Sequence, residues 1–307
     1  MVKFLKNHAL LSDGSVFRNF VAVPESFVLI DEGRLPIHNW KGLLKISFTY
    51  HKVELSQNIT YVLVHNSYTG YFHWLLESLP RILIAKEKLP HFSLLLPNTF
   101  TDSFYKDTLD LLGVNTVERI HAKTIYKAPK LALPYLLEPM GSFSPAIVAN
   151  LKNVLLNSPL LSSVDESKLP KSGLLYVSRK KAPRRKIVNE QQVEELMLQH
   201  GFDVICFEDY TTYEQILLCS RARAIVTIHG AGLSNILFMP QGSTVIELRK
   251  FDNNLNHTYE RLSHALGHKY SLLYCPAADK SQLVQDADLQ VNLDDVQALL
   301  EQQMLTK

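Results

Sequence analysis

Residues 224–248 read AIVTIHGAGLSNILFMPQGSTVIEL, and this stretch decides the fold class. Its two ends, 224–228 and 244–248, are apolar runs of strand length, and a short helical pattern lies between them. Runs that are apolar throughout are expected of parallel strands with helices on both faces. The stretch therefore predicts a strand–helix–strand unit of an α/β domain.

The same alternation of strand-like runs and helical patterns extends in both directions. Apolar runs stand at 174–178 and 203–207 before the stretch and at 270–275 after it. The N-terminal half is less regular: it predicts a helix over 71–87 with a kink at Pro80, and its first 50 residues predict short strands and loops. We therefore expect two doubly wound domains that face each other across a cleft, where α/β proteins bind their ligands.

A segment rich in serine and proline separates the two halves, and a final helical pattern follows a polar stretch near the C-terminus. These changes in composition set the expected domain bounds. We expect an N-terminal domain over 1–145, a linker with one helix over 146–172, a C-terminal domain over 173–290 and a terminal helix over 291–307.

The composition restricts the function classes. The chain has 307 residues, 46% of them hydrophobic and 20% charged, which excludes disordered and collagen-like proteins. Its formal net charge of +2 gives no general attraction to nucleic acid, so no nucleic-acid partner is expected. No apolar run approaches the ~20 residues of a spanning helix, and the N-terminus lacks the apolar core of a signal peptide. We expect a soluble protein of a reducing compartment.

The turn HGAGLSN at 229–235 predicts an anion site. Gly230 and Gly232 allow the backbone to approach a ligand closely, and the helix that begins there directs free amides towards it. His229 stands where it could donate a hydrogen bond to a phosphate or to a leaving-group oxygen. The alternative for these residues alone is a tight strand-to-helix turn with a structural histidine.

Basic residues at another strand end favour the anion site. Arg179 follows the apolar run 174–178, and Arg184 and Arg185 stand in the loop after it. Arginine side chains bind pairs of phosphate oxygens in a fixed geometry, which lysine does not do. Several cations beside a glycine-rich turn therefore indicate a diphosphate site, whereas a solvated surface loop is the alternative for such a charge run.

Glu247 ends the apolar run 244–248, where a carboxylate can accept both hydroxyls of a ribose. The alternative for Glu247 is an ion pair with Arg249 or Lys250. With the basic residues and the glycine-rich turn, it indicates a nucleotide pocket that has neither a Walker loop nor a dinucleotide fingerprint.

The ordered motifs between 176 and 248 resemble those of glycosyltransferase family 61. They are YVSRKKAPRRKIVNE, FEDYTTYEQILLCSRARAIVTIHGAGLSN and TVIEL. The stretch GYFHWLLESLPRI at 70–82 resembles the N-terminal helix of the family, with its histidine and an acidic residue four positions later. The resemblance implies a GT-B fold of two Rossmann-like domains, in which the C-terminal domain holds most of a nucleotide sugar. It also implies transfer with inversion, mostly from uridine diphosphate sugars.

By position, the resemblance implies a set of donor-binding residues. The residues implied to hold the diphosphate are Arg179, Arg185, His229, Gly230, Ala231, Gly232 and Leu233. Glu247 is implied to face the ribose, and Glu208 is implied to meet the base or the sugar.

His73 and Glu77 are the predicted catalytic residues. They stand four positions apart on one face of the predicted helix, and they match the histidine and acidic positions of the family. One of them would take the proton of the acceptor hydroxyl and the other would orient it, in either order. The alternative is an exposed histidine–glutamate pair or a histidine that caps a strand end. His65 and Asn66, at the end of a nearby strand, are second-rank candidates.

No metal or other cofactor is expected to be required. Arginines and a helix start can neutralise a leaving diphosphate without a metal ion. The Asp-x-Asp string at 286–288 lies in a polar segment away from any strand end, which is an unfavourable place for a metal site.

The predicted function is inverting transfer of a hexosyl, N-acetylhexosaminyl or pentosyl group from a nucleotide diphosphate sugar to a glycan or lipid-linked glycan. The expected setting is bacterial capsule, exopolysaccharide or lipopolysaccharide biosynthesis. The expected location is the cytoplasm, with peripheral contact to the inner membrane or to a polysaccharide assembly complex left open. A nucleotide-sugar epimerase on the same scaffold and a catalytically inactive, transferase-like partner subunit are the alternatives.

Overall fold

A computed structural model gives the structure of residues 1–26, 28–30, 33–35, 38–65, 68–250, 257–279 and 287–304. The chain divides into two compact units, Met1–Leu155 and Leu156–Lys307. Each unit combines helices with a sheet that contains parallel strands. The α/β class predicted from the sequence is confirmed.

The elements of the first unit are defined by the following bounds. Its strands are β1 (Val2–Leu10), β2 (Val16–Arg18), β3 (Val21–Ala22), β4 (Val28–Ile30), β5 (Gly33–Leu35), β6 (His51–Glu54), β7 (Tyr61–Leu63), β8 (Ser93–Pro97), β9 (Val117–Ile120) and β10 (Thr124–Pro134). Its helices are α1 (Trp40–Thr49), α2 (Tyr71–His73), α3 (Leu79–Lys88), α4 (Ser103–Leu111) and α5 (Pro145–Leu156), and the last of these ends at the boundary between the units.

The main sheet of the first unit is half parallel and half antiparallel. Its order is β3-β2-β1-β10-β7-β8-β9, and β6 pairs in parallel with β10. Strands β10, β7, β8 and β9 run parallel, whereas β1, β2 and β3 pair antiparallel. The doubly wound pattern expected for this half is therefore present only in its parallel part.

The first 50 residues differ from the sequence prediction of short strands and loops. Strand β1 has nine residues and pairs with β10 from Val2 opposite Pro134 to Leu10 opposite Tyr126. Helix α1 follows, and Asn39 caps it by accepting a hydrogen bond from the amide of Gly42. The short strands β2, β3, β4 and β5 agree with the prediction, whereas β1 and α1 were missed. Strand β1 was missed because pairing with a strand more than a hundred residues away, rather than a local alternation of side chains, forms it.

The helix predicted over 71–87 contains a π turn. Helix α2 is followed by a π turn at Trp74–Ser78 and then by α3. The amide of Leu79 donates to the carbonyl of Trp74, five residues back. Pro80 stands in the first turn of α3, where its missing N–H is not needed. The irregularity predicted at Pro80 thus begins one turn earlier, in a type of turn that is frequent at functional sites.

The second unit is a parallel sheet with helices. Its strands are β11 (Leu174–Val177), β12 (Asp203–Ile205), β13 (Ala224–Ile228), β14 (Thr244–Lys250) and β15 (Lys269–Cys275). Its helices are α6 (Glu190–Gln199), α7 (Thr212–Arg221), α8 (Thr258–Leu266) and α9 (Leu293–Met304), with short 3-10 helices at Phe207–Asp209 and Ala231–Phe238.

The strands of the second unit are ordered β12-β11-β13-β14-β15, and every pairing is parallel. This is the order of a doubly wound sheet in which the chain reverses its direction of winding between β11 and β13. Ligands of such sheets bind in the crevice outside the carboxyl ends of the strands at that point. The fold therefore singles out the residues that follow β11 and β13.

Packing in the second unit includes the end of the chain. Val296 and Leu300 of α9 are buried with Val193 and Met197 of α6 in the core that covers the sheet. The helix predicted at 291–307 is thus packed into the second unit over its described part. No helix within the described ranges is long and apolar enough to cross a membrane.

His65, one of the second-rank candidates, is a buried structural residue. It lies 4% exposed after β7, its Nε2 donates to the carbonyl of Ser12 at 3.1 Å, and its ring meets Phe100 edge-on. Burial lowers the pKa of His65 to about 4, because the charged ring loses its hydration there. Its neighbour Asn66 lies outside the described residues.

Acid should therefore destabilise the first unit through His65. The unfolded chain binds a proton at this histidine below its ordinary pKa of about 6.5, whereas the folded protein does so only near pH 4. The contribution of His65 to the free energy of unfolding is thus fully present above pH 6.5 and is lost as the pH falls towards 4. Between pH 7 and pH 4.5 this group should cost about 2 kcal/mol of unfolding free energy.

Urea denaturation of the protein and of His65→Gln at the two pH values measures this contribution. The difference in unfolding free energy between the two proteins should narrow by about 2 kcal/mol at pH 4.5. An equal difference at both pH values would show that His65 is not held neutral by the fold.

Candidate functional site

Two of the predicted site residues follow the two strands at the reversal point of the second sheet. Arg179 stands two residues after β11, and His229 directly follows β13. The two strand ends are tied together, since the hydroxyl of Thr227 donates to the carbonyl of Val177 at 2.7 Å. The sheet order thus brings together two side chains that lie 50 positions apart in the sequence.

The loop after β11 holds two guanidinium groups against the turn after β13. Arg179 donates through Nε and Nη2 to the carbonyls of Arg185 and Arg184, both at 3.3 Å. Arg185 donates through Nη1 to the carbonyl of His229 at 2.9 Å. The backbone of Arg185 has a φ of 57°, in the left-handed region that residues other than glycine seldom adopt, and such strain concentrates at ligand sites.

Gly230 makes this approach possible. A Cβ atom at residue 230 would lie 2.9 Å from Nη1 of Arg179 and 3.7 Å from Nη2 of Arg185. The first distance is shorter than a van der Waals contact, so any side chain at 230 would displace the Arg179 guanidinium. Glycine at this position leaves room for the Arg179 guanidinium, while its own backbone angles are extended and open to any residue.

The 3-10 helix Ala231–Phe238 begins beside the two arginines. A helix that begins at Ala231 leaves the amides of Ala231 and Gly232 without an acceptor inside the helix, and such amides bind anions. A Cβ atom at residue 232 would lie 3.1 Å from the ring of Phe207, so Gly232 also serves the packing of the turn. The amide of Leu233 donates to the carbonyl of Gly230 and its side chain is fully buried, and the diphosphate contact implied for Leu233 stays a prediction.

Arg179 carries its charge in a partly buried place. Burial lowers the pKa of Arg179, the negative charge of Glu208 opposes that shift, and the neighbouring charge of Arg184 adds to it. Glu208, an exposed residue of the 3-10 helix Phe207–Asp209, is thus within electrostatic reach of Arg179, as expected of residues around one pocket. A bound anion would offset the cost of keeping two guanidinium groups this close.

Lys180 and Lys181 of the same loop form ion pairs away from the turn. Lys180 pairs with Glu194 of α6 at 2.8 Å, and Lys181 pairs with Asp209. Both lysines are exposed. The charge run predicted as one basic cluster therefore divides into a half-buried arginine pair at the turn and lysines that form surface ion pairs.

Glu247 is buried beneath His229. Its Oε1 lies 2.6 Å from Nδ1 of His229, and its Oε2 accepts a hydrogen bond from the hydroxyl of Tyr270 at 2.9 Å. The carboxylate side chain is 1% exposed, whereas the His229 side chain is 22% exposed. The structure thus brings Glu247 to the site through His229 and Tyr270, and the ribose contact implied for Glu247 stays a prediction.

Two tyrosines of this site were not found from the sequence. Tyr270 lies on β15, next to β14, and Tyr259 of α8 meets the His229 ring edge-on at 5.2 Å between centroids. Burial raises the pKa of both hydroxyls, and the charge of Glu247 raises that of Tyr270 further. The only signal in the sequence was that Tyr270 begins an apolar run, which does not disclose its partner.

His73 and Glu77 form a second histidine–glutamate pair, in the first unit. Nδ1 of His73 lies 3.0 Å from Oε2 of Glu77, and the ring of Tyr68 stacks on that of His73 at 4.6 Å. The His73 side chain is 22% exposed and that of Glu77 is 9% exposed. The π turn holds Glu77 in the interior, where its Oε1 is buried without a hydrogen-bond partner among the residues that the structure describes.

Aromatic side chains next to this pair belong to the core. Trp74 is 1% exposed, and its indole N–H donates to the hydroxyl of Thr108 at 2.7 Å. Phe72 is half-buried and meets the His73 ring edge-on. Trp74 thus anchors the π turn in the core, and Phe72 packs against the His73 side chain.

The described ranges contain no group of three or more histidine, cysteine or acidic side chains that could hold a metal ion. Asp286 lies outside these ranges. Asp288 accepts a hydrogen bond from the backbone amide of Lys186 at 2.7 Å. This residue of the Asp-x-Asp string is thus bound to the chain directly after Arg185.

Comparisons with known proteins identify the family of this chain. The family model described as Glycosyltransferase 61 matches residues 71–246. This range includes His73, Glu77 and His229 and ends one residue before Glu247. The chain is also similar to the protein O-linked-mannose beta-1,4-N-acetylglucosaminyltransferase 2 of Homo sapiens and to that of Mus musculus. Each is 36% identical over 77 residues, which is 24% of this chain and 13% of the relative. The match thus spans only about an eighth of the length of these relatives.

Proposed function

This chain belongs to glycosyltransferase family 61, and we propose that it transfers a sugar, with inversion, from a uridine diphosphate sugar to a hydroxyl group of a glycan. The observation that carries the proposal is the arginine pair at the start of the 3-10 helix Ala231–Phe238, at the reversal point of a parallel sheet. Two guanidinium groups, two free amides and a histidine ring in one place suit a diphosphate.

The donor half of the proposal assigns the diphosphate to Arg179, Arg185 and the amides of Ala231 and Gly232. The arginine carbonyl contacts and the close fit at Gly230 hold the guanidinium groups before a ligand arrives, and preorganised charge is the form of electrostatic stabilisation that lowers a barrier most. Glu208 acts electrostatically on Arg179, and we propose that it meets the base or the sugar.

The sugar is proposed from the relatives. By their name, the human and mouse relatives transfer N-acetylglucosamine in a beta-1,4 linkage to O-linked mannose. We therefore propose uridine diphosphate N-acetylglucosamine as the first donor for this chain. The acceptor is proposed more coarsely, as a glycan or lipid-linked glycan of bacterial surface polysaccharide.

The acceptor half of the proposal assigns the base to His73. Because a carboxylate only accepts hydrogen bonds, Nδ1 of His73 carries the proton that faces Glu77, and Nε2 is left with its lone pair. His73 is the more exposed of the two, so we propose that His73 takes the proton and that Glu77 orients its ring. This choice resolves the order that the sequence left open.

The proposed reaction is a single displacement. The acceptor oxygen attacks the anomeric carbon, its proton passes to Nε2 of His73, and the bond from the anomeric carbon to the diphosphate oxygen breaks. The electron pair stays on the diphosphate, whose charge Arg179 and Arg185 stabilise. For the fold we propose the GT-B class. Cytoplasmic location, with or without contact to a membrane or an assembly complex, belongs to the same proposal.

A panel of nucleotide diphosphates, followed by a transfer assay, tests the proposal. Uridine diphosphate at 100 times its dissociation constant stabilises a protein by about 2.7 kcal/mol, which should raise the Tm by about 5–10 °C. Guanosine, adenosine and thymidine diphosphates and cytidine monophosphate are the comparison ligands, each measured with and without manganese. Acceptor-dependent release of uridine diphosphate should follow when glycans are added.

Other outcomes would replace the proposal. Interconversion of the donor sugar without an acceptor would indicate an epimerase. A flat panel would indicate a transferase-like partner subunit that has lost its donor site, and a large shift only in the presence of manganese would contradict a diphosphate site built from arginines.

A further inference from the structure

We propose that Tyr270, Glu247 and His229 form a hydrogen-bonded relay, in which Glu247 positions His229 to protonate the leaving diphosphate instead of binding the ribose. The inference rests on the proposed function and deepens it. The juxtaposition that carries it is a fully buried carboxylate with one oxygen on the His229 ring and the other on the Tyr270 hydroxyl.

The contacts of Glu247 leave it little capacity for a ligand. Both carboxylate oxygens are engaged, at 2.6 Å with His229 and at 2.9 Å with Tyr270, and the side chain is 1% exposed. A ribose hydroxyl would have to displace one of these donors and reach a side chain that is closed to solvent. Breaking a buried hydrogen bond to a charged group is costly, which favours the positioning role over the ribose contact.

The hydrogen bond from His229 fixes its tautomer. An ionised carboxylate only accepts, so Nδ1 of His229 carries a proton, and Nε2 is the ring atom left for the pocket. The 22% exposed fraction of the His229 side chain is consistent with one open edge. This is how a buried carboxylate commonly orients a functional histidine.

The groups around His229 act on its charge in opposite directions. The negative charge of Glu247 on β14 stabilises the protonated ring. The hydroxyl of Tyr270 on β15 donates a hydrogen bond to the same carboxylate and so weakens that effect. Arg185 donates to the His229 carbonyl, and Arg179 lies against Gly230, so both disfavour the protonated ring until a diphosphate balances their charge. Tyr259 of α8 covers one edge of the ring.

The relay supplies a proton where charge develops. As the bond from the anomeric carbon breaks, its electron pair moves to the leaving oxygen, and Nε2–H of the protonated His229 transfers its proton to that oxygen. Because His73 gains the proton of the acceptor hydroxyl while His229 loses a different proton to the leaving oxygen, the number of protons on the two histidines together is unchanged. Glu247 keeps the Nδ1 proton throughout and stabilises the charged ring before transfer.

Two substitutions with opposite expected effects test the relay. Glu247→Gln removes the negative charge, and Tyr270→Phe removes only the hydroxyl that shares it. The ring of His229 is observed in histidine-labelled protein by NMR during a pH titration, without substrate. The midpoint of its titration should fall by at least one pH unit in Glu247→Gln and should rise by about half a unit in Tyr270→Phe. General structural damage would not move the two midpoints in opposite directions.

A second measurement separates the relay from a ribose contact. Uridine diphosphate and its 2′-deoxy and 3′-deoxy forms are titrated into the protein and into Glu247→Gln. If Glu247 positions His229, the ratios of the three dissociation constants stay the same in both proteins, while kcat falls at least 30-fold in the variant. If Glu247 binds the ribose, the preference for the intact ribose disappears in the variant, which would overturn the inference.

Failure of the relay and failure of the proposed function can be told apart. In a protein that binds no nucleotide, the proposed function fails, and with it the protonation of a diphosphate, while the titration midpoints of His229 still report its coupling to Glu247 and Tyr270. Midpoints that are equal in all three proteins would overturn the relay even where transfer is observed. If Glu247→Gln does not fold, Tyr270→Phe alone tests the relay. The relay then requires the titration midpoint of His229 to be higher in Tyr270→Phe than in the unmodified protein.

Discussion

Replacing Arg179 with alanine is expected to lower kcat/KM for sugar transfer about 1000-fold and to remove the Tm shift caused by uridine diphosphate. Arg179 is half-buried, is held by two carbonyls of its own loop and lies against Gly230 at the helix start. Losing a preorganised donor to developing charge costs about 100- to 1000-fold in rate, and here binding of the diphosphate is lost as well. Isothermal titration with uridine diphosphate and initial rates of its release measure the two effects, and circular dichroism should remain unchanged.

Three further variants show whether geometry or charge causes this loss. Arg179→Lys keeps the charge but not the paired donors, so it should recover less than a tenth of the activity. Gly230→Ala removes no charge, yet its Cβ would lie 2.9 Å from Arg179 Nη1, so it should weaken diphosphate binding about tenfold.

Lys181→Ala is the matched control, since it removes a positive charge of the same loop that pairs with Asp209 at the surface. It should change activity less than twofold. If Lys181→Ala reduced activity as much as Arg179→Ala does, the loop would act through its total charge and the assignment of Arg179 would be wrong.

Replacing His73 with alanine is expected to lower kcat at least 100-fold while the affinity for uridine diphosphate changes less than twofold. A general base contributes about 100- to 10,000-fold, and His73 is the more exposed member of its pair with Glu77. The donor site assigned above lies in the other unit, so its occupancy should not depend on His73. Single-turnover rates and titration of uridine diphosphate measure the two quantities.

Glu77→Gln and His51→Ala complete this experiment. Glu77→Gln keeps the shape of the side chain but no longer holds a charge beside Nδ1 of His73, so kcat should fall about tenfold. His51, an exposed residue of β6, should be replaceable by alanine without effect. A His73→Ala protein with full turnover would move the base elsewhere, and a loss confined to Glu77→Gln would exchange the roles of the pair.

The second unit could be predicted well because its signals are local. The strands β11 and β13 are buried along their whole length, and their sequences are continuous apolar runs. Residues at the strand ends stand close behind these runs, which is why the positions of Arg179 after β11 and of His229 after β13 could be predicted.

Other parts of the fold leave no local signal. Strand β1 is formed by pairing with β10 over its whole length, and its own residues alternate too weakly to predict nine extended positions. The π turn at Trp74–Ser78 depends on one shifted backbone hydrogen bond, which no side-chain pattern records. The sequence correctly placed His73 and Glu77 on one helical face but did not disclose that Glu77 is buried.

The sequence by itself determined the α/β class, the family resemblance and the residue types at the strand ends, because burial and backbone freedom act position by position along the chain. Only the tertiary structure decided which strands are neighbours and which groups share a buried charge. It placed β11 beside β13, so that Arg179 meets Gly230, and β14 beside β15, so that Tyr270 meets Glu247. The partner of a buried polar group is chosen across the sheet, and periodicity along one strand carries no information about it.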